Sequence, residues 1–150
     1  MTAISQKCQY ALRAVLELAK RPGKSLTTIA EIAAAQAIPP RFLEQILAQL
    51  RQTGYVESRR GAEGGYQLSV SPRTLTAGEI IRSIEGRIAP VKCVEGNGET
   101  SCPLHENCAF MSMWARARDA VAAVFDGTTF QDLIEEQQAA VGKGAGSYCI

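Results

Sequence analysis

The 150-residue chain is long enough for one hydrophobic core, and none of its apolar runs reaches the roughly 18–20 residues that cross a bilayer. Its net charge of +1 conceals an asymmetry: residues 1–75 carry ten Lys/Arg and five Asp/Glu (+5), residues 76–150 six and ten (−4). A basic first half beside an acidic second half points the first half at a polyanion.

The opening MTAISQKCQYALRAV is broken by Gln6, Lys7, Gln9 and Arg13 and lacks the greasy core of a signal peptide, so a cytoplasmic protein without membrane attachment is expected. In that reducing compartment Cys8, Cys93, Cys102, Cys108 and Cys149 read as metal-binding, redox-active or structural rather than as a disulfide framework.

Ser5 can cap a first helix over 5–20, where Cys8, Ala11, Leu12, Val15 and Ala19 recur at three- and four-residue spacing. Arg21-Pro22-Gly23-Lys24 breaks it. Thr27 or Thr28 caps a second short helix carrying Ile29, Ile32 and Ala33, and Glu31 completes a capping box with Thr28. Ala37-Ile38 turns the chain, and Pro39-Pro40 opens a third helix over 40–53, where missing N–H groups cost least. Phe42, Leu43, Ile46, Leu47 and Leu50 form its apolar stripe; Arg41, Glu44, Gln45, Ala48 and Gln52 lie opposite, and Gly54 ends it.

Two alternating strands, Tyr55–Ser58 and Tyr66–Val70, flank the basic, glycine-rich loop Arg59–Gly65 and make a β-hairpin. These are the parts of a winged helix-turn-helix. The expected fold class is mostly α with a small β-hairpin, residues 1–75 forming a DNA-binding domain.

Residues 76–140 are expected to hold a sensor loop and dimerisation helices. Thr76 caps a fourth helix with Ile80, Ile81 and Ile84, and residues 86–108 look irregular. A long helix over Ala109–Phe125 carries Phe110, Trp114, Ala117, Val121 and Val124 at spacings of four, three, four and three, a seam suited to a homodimer. A last helix over 129–140 precedes a disordered tail, 141–150, that contains Cys149.

Double-stranded DNA is the expected partner. Arg41 can grip guanine, Gln45 and Gln52 adenine, and Glu44 can accept from cytosine, discriminating more than it attracts. Arg59 and Arg60 bring charge to the hairpin, while Ser5 and Lys7, with Thr28 at the next helix start, suit backbone contact. With one histidine, no nucleophile elbow, no phosphate-binding glycine loop and no paired carboxylates that stand out, an enzyme is not expected.

Three stretches carry a resemblance: Lys7 to Arg13, Pro39 to Gln45, and the wing Arg60-Gly61-Ala62-Glu63-Gly64-Gly65-Tyr66. Over residues 3–138 the chain resembles the Rrf-type bacterial transcriptional regulators, which include IscR-, NsrR- and CymR-like branches. Trp114 to Val121 and Thr128 to Leu133 are most similar to the CymR-like branch. The resemblance implies a homodimer with crossed long helices, the third helix in the major groove and the wing on the minor groove of a pseudo-palindromic operator. Its base-contacting positions fall on Pro39, Arg41, Phe42, Glu44 and Gln45, its wing contacts on Arg60 and Gly61. Pro39 and Arg41 replace serines of the IscR-like branch.

Cys93, Cys102 and Cys108 share one loop with spacing C-x8-C-x5-C, and thiolates are soft ligands for iron–sulfur clusters or zinc. Without a CxxC, a zinc knuckle is the weaker match. The resemblance implies an iron–sulfur cluster, 2Fe-2S or 4Fe-4S, on this loop, as in the IscR- and NsrR-like branches. Met111 stands where one branch has a histidine ligand and Gln9 where another has an acidic one, leaving His105, Cys8 or a nearby Glu as fourth-ligand candidates. The CymR-like branch implies an alternative, a cluster-free repressor governed by cysteine oxidation or by a protein partner of cysteine-synthase type.

Overall fold

The computed structural model describes residues 4–21, 25–96 and 102–145, which form six α-helices and one two-stranded antiparallel sheet. Ser5 Oγ accepts the Cys8 backbone N–H at 3.1 Å and opens α1 (Gln6–Ala19). Thr28 and Glu31 close the expected capping box at the start of α2 (Ile29–Gln36), Thr28 N–H donating to Glu31 Oε2 at 2.7 Å. Ala37, in the left-handed region at φ 48°, turns the chain into α3 (Pro40–Gln52).

On α3 the sequence places Leu43, Ile46, Leu47 and Leu50 on one stripe, and all four are wholly buried. Phe42 departs from the expected stripe: it is 52% exposed. It sits at the stripe's edge in the first turn, where its ring meets that of Tyr10.

The hairpin pairs β1 (Val56–Arg59) with β2 (Gly65–Leu68), Val56 opposite Leu68 and Arg59 opposite Gly65. Arg59 thus ends a strand instead of lying in the loop. Thr27 adds a bridge to Tyr66 through hydrogen bonds of 2.9 and 2.8 Å, tying the hairpin to the start of α2. A Cβ at Gly65 would lie 2.8 Å from the Thr27 carbonyl oxygen, so this approach requires glycine.

The core gathers Ala11, Val15 and Leu18 of α1, Ile32 of α2, the α3 stripe and Val56. It does not stop at residue 75. Leu75, Ile80 of α4 (Ala77–Glu85) and Phe130 of α6 (Phe130–Ala145) belong to the same cluster. Phe130 is completely buried, which is worth about 1.5–3 kcal/mol. Hydrogen bonds from Ala77 N–H to the Thr128 carbonyl and from Phe130 N–H to the Leu75 carbonyl hold the start of α6 beside α4. The second half of the chain therefore covers α1 as well as extending away from it.

α6 runs to Ala145, which corrects the expected disordered tail over 141–145; residues 146–150, with Cys149, lie outside the described residues. Extending an existing helix needs no new nucleus, so Gly142 and Gly144 weaken this end without stopping it. α5 (Met111–Asp126) contributes no buried residue. Among the described residues no helix is long and apolar enough to cross a membrane.

Candidate nucleic-acid interface

The polar face of α3 points outward as its periodicity requires. Arg41, Glu44 and Gln45 are exposed, as is Pro39 ahead of the helix. No side chain caps the first turn, where Pro40 has no N–H and Phe42 and Leu43 donate theirs to the Pro39 carbonyl, so an anion met here falls to the Arg41 N–H and side chain.

Besides the shared core, two side-chain contacts nearer the surface join this helix to α1. Lys7 Nζ donates to Gln49 Oε1 at 2.7 Å, and the Phe42 ring meets Tyr10 with centroids 6.2 Å apart. Arg13 in turn stands over Tyr10, 5.7 Å from the ring centroid. Arg51 Nη1 donates to Ser58 Oγ at 3.2 Å, fixing α3 to the hairpin. Thr28 is exposed but uses its hydroxyl and N–H in the α2 capping box. Ser5, half-buried, likewise uses its hydroxyl as a cap.

At the hairpin tip Arg59, Arg60 and Gly61 are exposed, and Gly61 takes φ 116°, a conformation that side chains resist. The structure thus joins the start of α1, α3 and the wing through direct contacts. Periodicity gave no sign of Tyr10, Arg13 or Gln49; an aromatic and an arginine three residues apart on one helix were the available signal for the first two.

The cysteine segment follows α4. Cys93 and Cys108 are half-buried and Cys102 is exposed. His105 Nδ1 is buried with no hydrogen-bond partner. Among the described residues no three His, Cys, Asp or Glu side chains converge as a metal site. Cys8 is elsewhere, wholly buried on α1, and burial with the neighbouring Glu85 charge pushes its thiol up to about 11. A ligand must give up its proton, so this environment favours an inert core thiol over a fourth ligand.

A helix-turn-helix with an exposed second helix and a basic, glycine-tight wing is a duplex-reading module of transcriptional regulators. The profile of the Rrf2 family, described as "Iron-dependent Transcriptional regulator", matches residues 4–136. The HTH-type transcriptional regulator CymR of Bacillus subtilis is 42% identical over 130 residues, 87% of this chain and 88% of that one. The solved structure of CymR (YrzC), the global cysteine regulator of B. subtilis, superposes with a TM-score of 0.73 at 40% identity, covering 91% of this chain and 98% of that one. T. potens IscR gives 0.72 at 30% identity, with 92% and 90% covered. The chain belongs to the Rrf2 family of transcriptional regulators and is not an enzyme.

Proposed function

We propose that the protein is a homodimeric, operator-binding regulator, with α3 in the major groove, the wing on the adjacent minor groove, and the Cys93–Cys108 segment as its sensor. The observation that carries the dimer is α5: it has no buried residue, yet Phe110 before it and Val124 on it are 60% and 64% exposed, with Met113 and Val121 beside them. A second copy covering that seam would place two reading helices on a two-fold axis, matching a pseudo-palindrome. Arg41, Glu44 and Gln45, with Pro39 and Phe42, would face base edges; Lys7, Ser5, Thr28, Arg59, Arg60 and Gly61 would face the backbone and the minor groove. Sedimentation together with selection of bound duplexes from a random pool tests this. A monomer that selects no inverted repeat overturns it.

The donors of the sensor segment suit an iron–sulfur cluster: three soft thiols, with one imidazole nitrogen lacking a partner. Cys93, Cys102 and Cys108 would hold it, His105 completing the set. When bound, the group would supply a redox-responsive charge just ahead of α5. The thiols before α5 would then bias how the two copies of that helix, and so the two reading helices, are set.

The 42% identity to CymR favours a second reading, in which cysteine oxidation or a protein partner takes the cluster's place. Iron and acid-labile sulfide analysis of anaerobically purified protein separates the two: a colourless, iron-free sample overturns the cluster.

A further inference from the structure

Lys7 is not a freely moving cation. Besides its 2.7 Å bond to Gln49 Oε1, the same amide donates from Nε2 to the Ser83 carbonyl, also at 2.7 Å. Gln49 thus bridges the first turn of α1 and the last turn of α4. That last turn reaches α1 a second time, where the Ser5 backbone N–H donates to Glu85 Oε1 at 2.9 Å. Both backbone-facing candidates at the start of α1 are therefore referenced to Ser83–Glu85, the turn that leads into the cysteine segment.

We propose that Gln49 is a positioning residue for DNA binding: it holds the Lys7 ammonium at a phosphate and sets its place from the last turn of α4. This rests on the reading of Lys7 as a phosphate contact. An ammonium has three N–H donors, and a neutral amide oxygen engages one without cancelling the charge. Two donors and the full charge remain for DNA. The Ser83 carbonyl only accepts, so it orients the amide with nitrogen toward α4 and oxygen toward Lys7. Holding a long side chain before DNA arrives removes ordering cost that a loose lysine pays on binding.

The test is a double-mutant cycle on the full chain. It reads affinity for a labelled random-sequence duplex of about 30 base pairs, room for two half-sites, across a salt series. Lys7→Ala is expected to weaken binding and lower the salt slope by about one unit. Gln49→Met keeps the size but loses both bonds; it should weaken binding about 2- to 10-fold at an unchanged slope, and do nothing further in the Lys7→Ala background. Gln49→Glu still accepts from Lys7 but neutralises it, so its slope should fall as in Lys7→Ala. If Lys7→Ala changes neither affinity nor slope, the phosphate contact fails and this inference with it. If Lys7→Ala weakens binding but Gln49→Met costs the same in both backgrounds, or Gln49→Glu leaves the slope intact, only the role of Gln49 is overturned.

Discussion

The Arg82 guanidinium grips the Asp126 carboxylate through two parallel hydrogen bonds, Nη1–Oδ1 at 2.6 Å and Nη2–Oδ2 at 2.7 Å. The fork ties the end of α5 to α4, and α4 packs on α1. It thus links the α5 face proposed as a dimer seam to the helices proposed to read DNA.

Hydrogen bonding from Arg82 holds the Asp126 carboxyl below its ordinary value of 3.8. A depressed carboxylate stabilises the fold above its unfolded value, and that contribution is lost as pH falls through the folded one. Both side chains are over 40% exposed, so solvent discounts the pair. Asp126→Asn should cost about 0.5–1 kcal/mol at neutral pH, the difference from wild type closing below pH 3.8 in denaturant titrations. A Cβ at Gly78 would fall 1.9 Å from Asp126 Oδ1. Gly78→Ala should therefore be near neutral in the wild type yet stabilising by about 0.5–1 kcal/mol in an Asp126→Ala background. Equal effects in both would dismiss the clash.

The wing and the reading helix should fail differently. Arg60→Ala removes an exposed charge at the hairpin tip, so it should weaken binding on all duplexes and lower the salt slope by about one unit. Glu44→Ala removes a negative group that repels most sequences, so discrimination should fall while non-specific affinity rises. An Arg60→Ala protein with the wild-type slope would remove the wing from the phosphate track.

What could be read in advance was mostly local. Ser5 as a cap and Thr28 with Glu31 as a capping box follow from hydrogen bonds within one turn, and the α3 stripe follows from its period. The Thr27–Tyr66 bridge was invisible because one residue has no alternation. Phe130 looked like part of a separate C-terminal unit, although it completes the core around α1. Gln49 offered no signal at all: a half-buried polar residue takes its meaning from partners 42 and 34 residues away.

Cys8 should make the fold sensitive to alkali. Burial, then the charge and hydrogen bond of Glu85, raise its thiol from 9.0 to about 11. For a group raised in the folded state, the stabilisation is complete below the unfolded value and lost as pH rises through the folded one. Stability should accordingly decline between pH 9 and 11, and Cys8→Ala should flatten that decline. Below pH 9, iodoacetamide should label exposed Cys102 while sparing Cys8 until the chain unfolds. Native-state labelling of Cys8 at a rate like that of Cys102 would contradict its burial.

Ala37 carries strain at the turn between α2 and the reading helix. It is the one residue other than glycine found at positive φ among the described residues, at φ 48° and ψ 49°. An L side chain pays roughly 1–2 kcal/mol there, because Cβ crowds the following carbonyl. The position nonetheless ends α2 properly, its N–H donating to the Ala33 carbonyl. Glycine would relieve the crowding but add freedom to the unfolded chain, which offsets about 0.4–1 kcal/mol. Ala37→Gly should thus stabilise the protein by a net of about 0.5–1 kcal/mol in chemical denaturation. Its side chain is exposed and is not among the groups assigned to DNA, so duplex affinity should hold. A loss of stability would show that the turn relies on the methyl group of Ala37 more than it suffers from it.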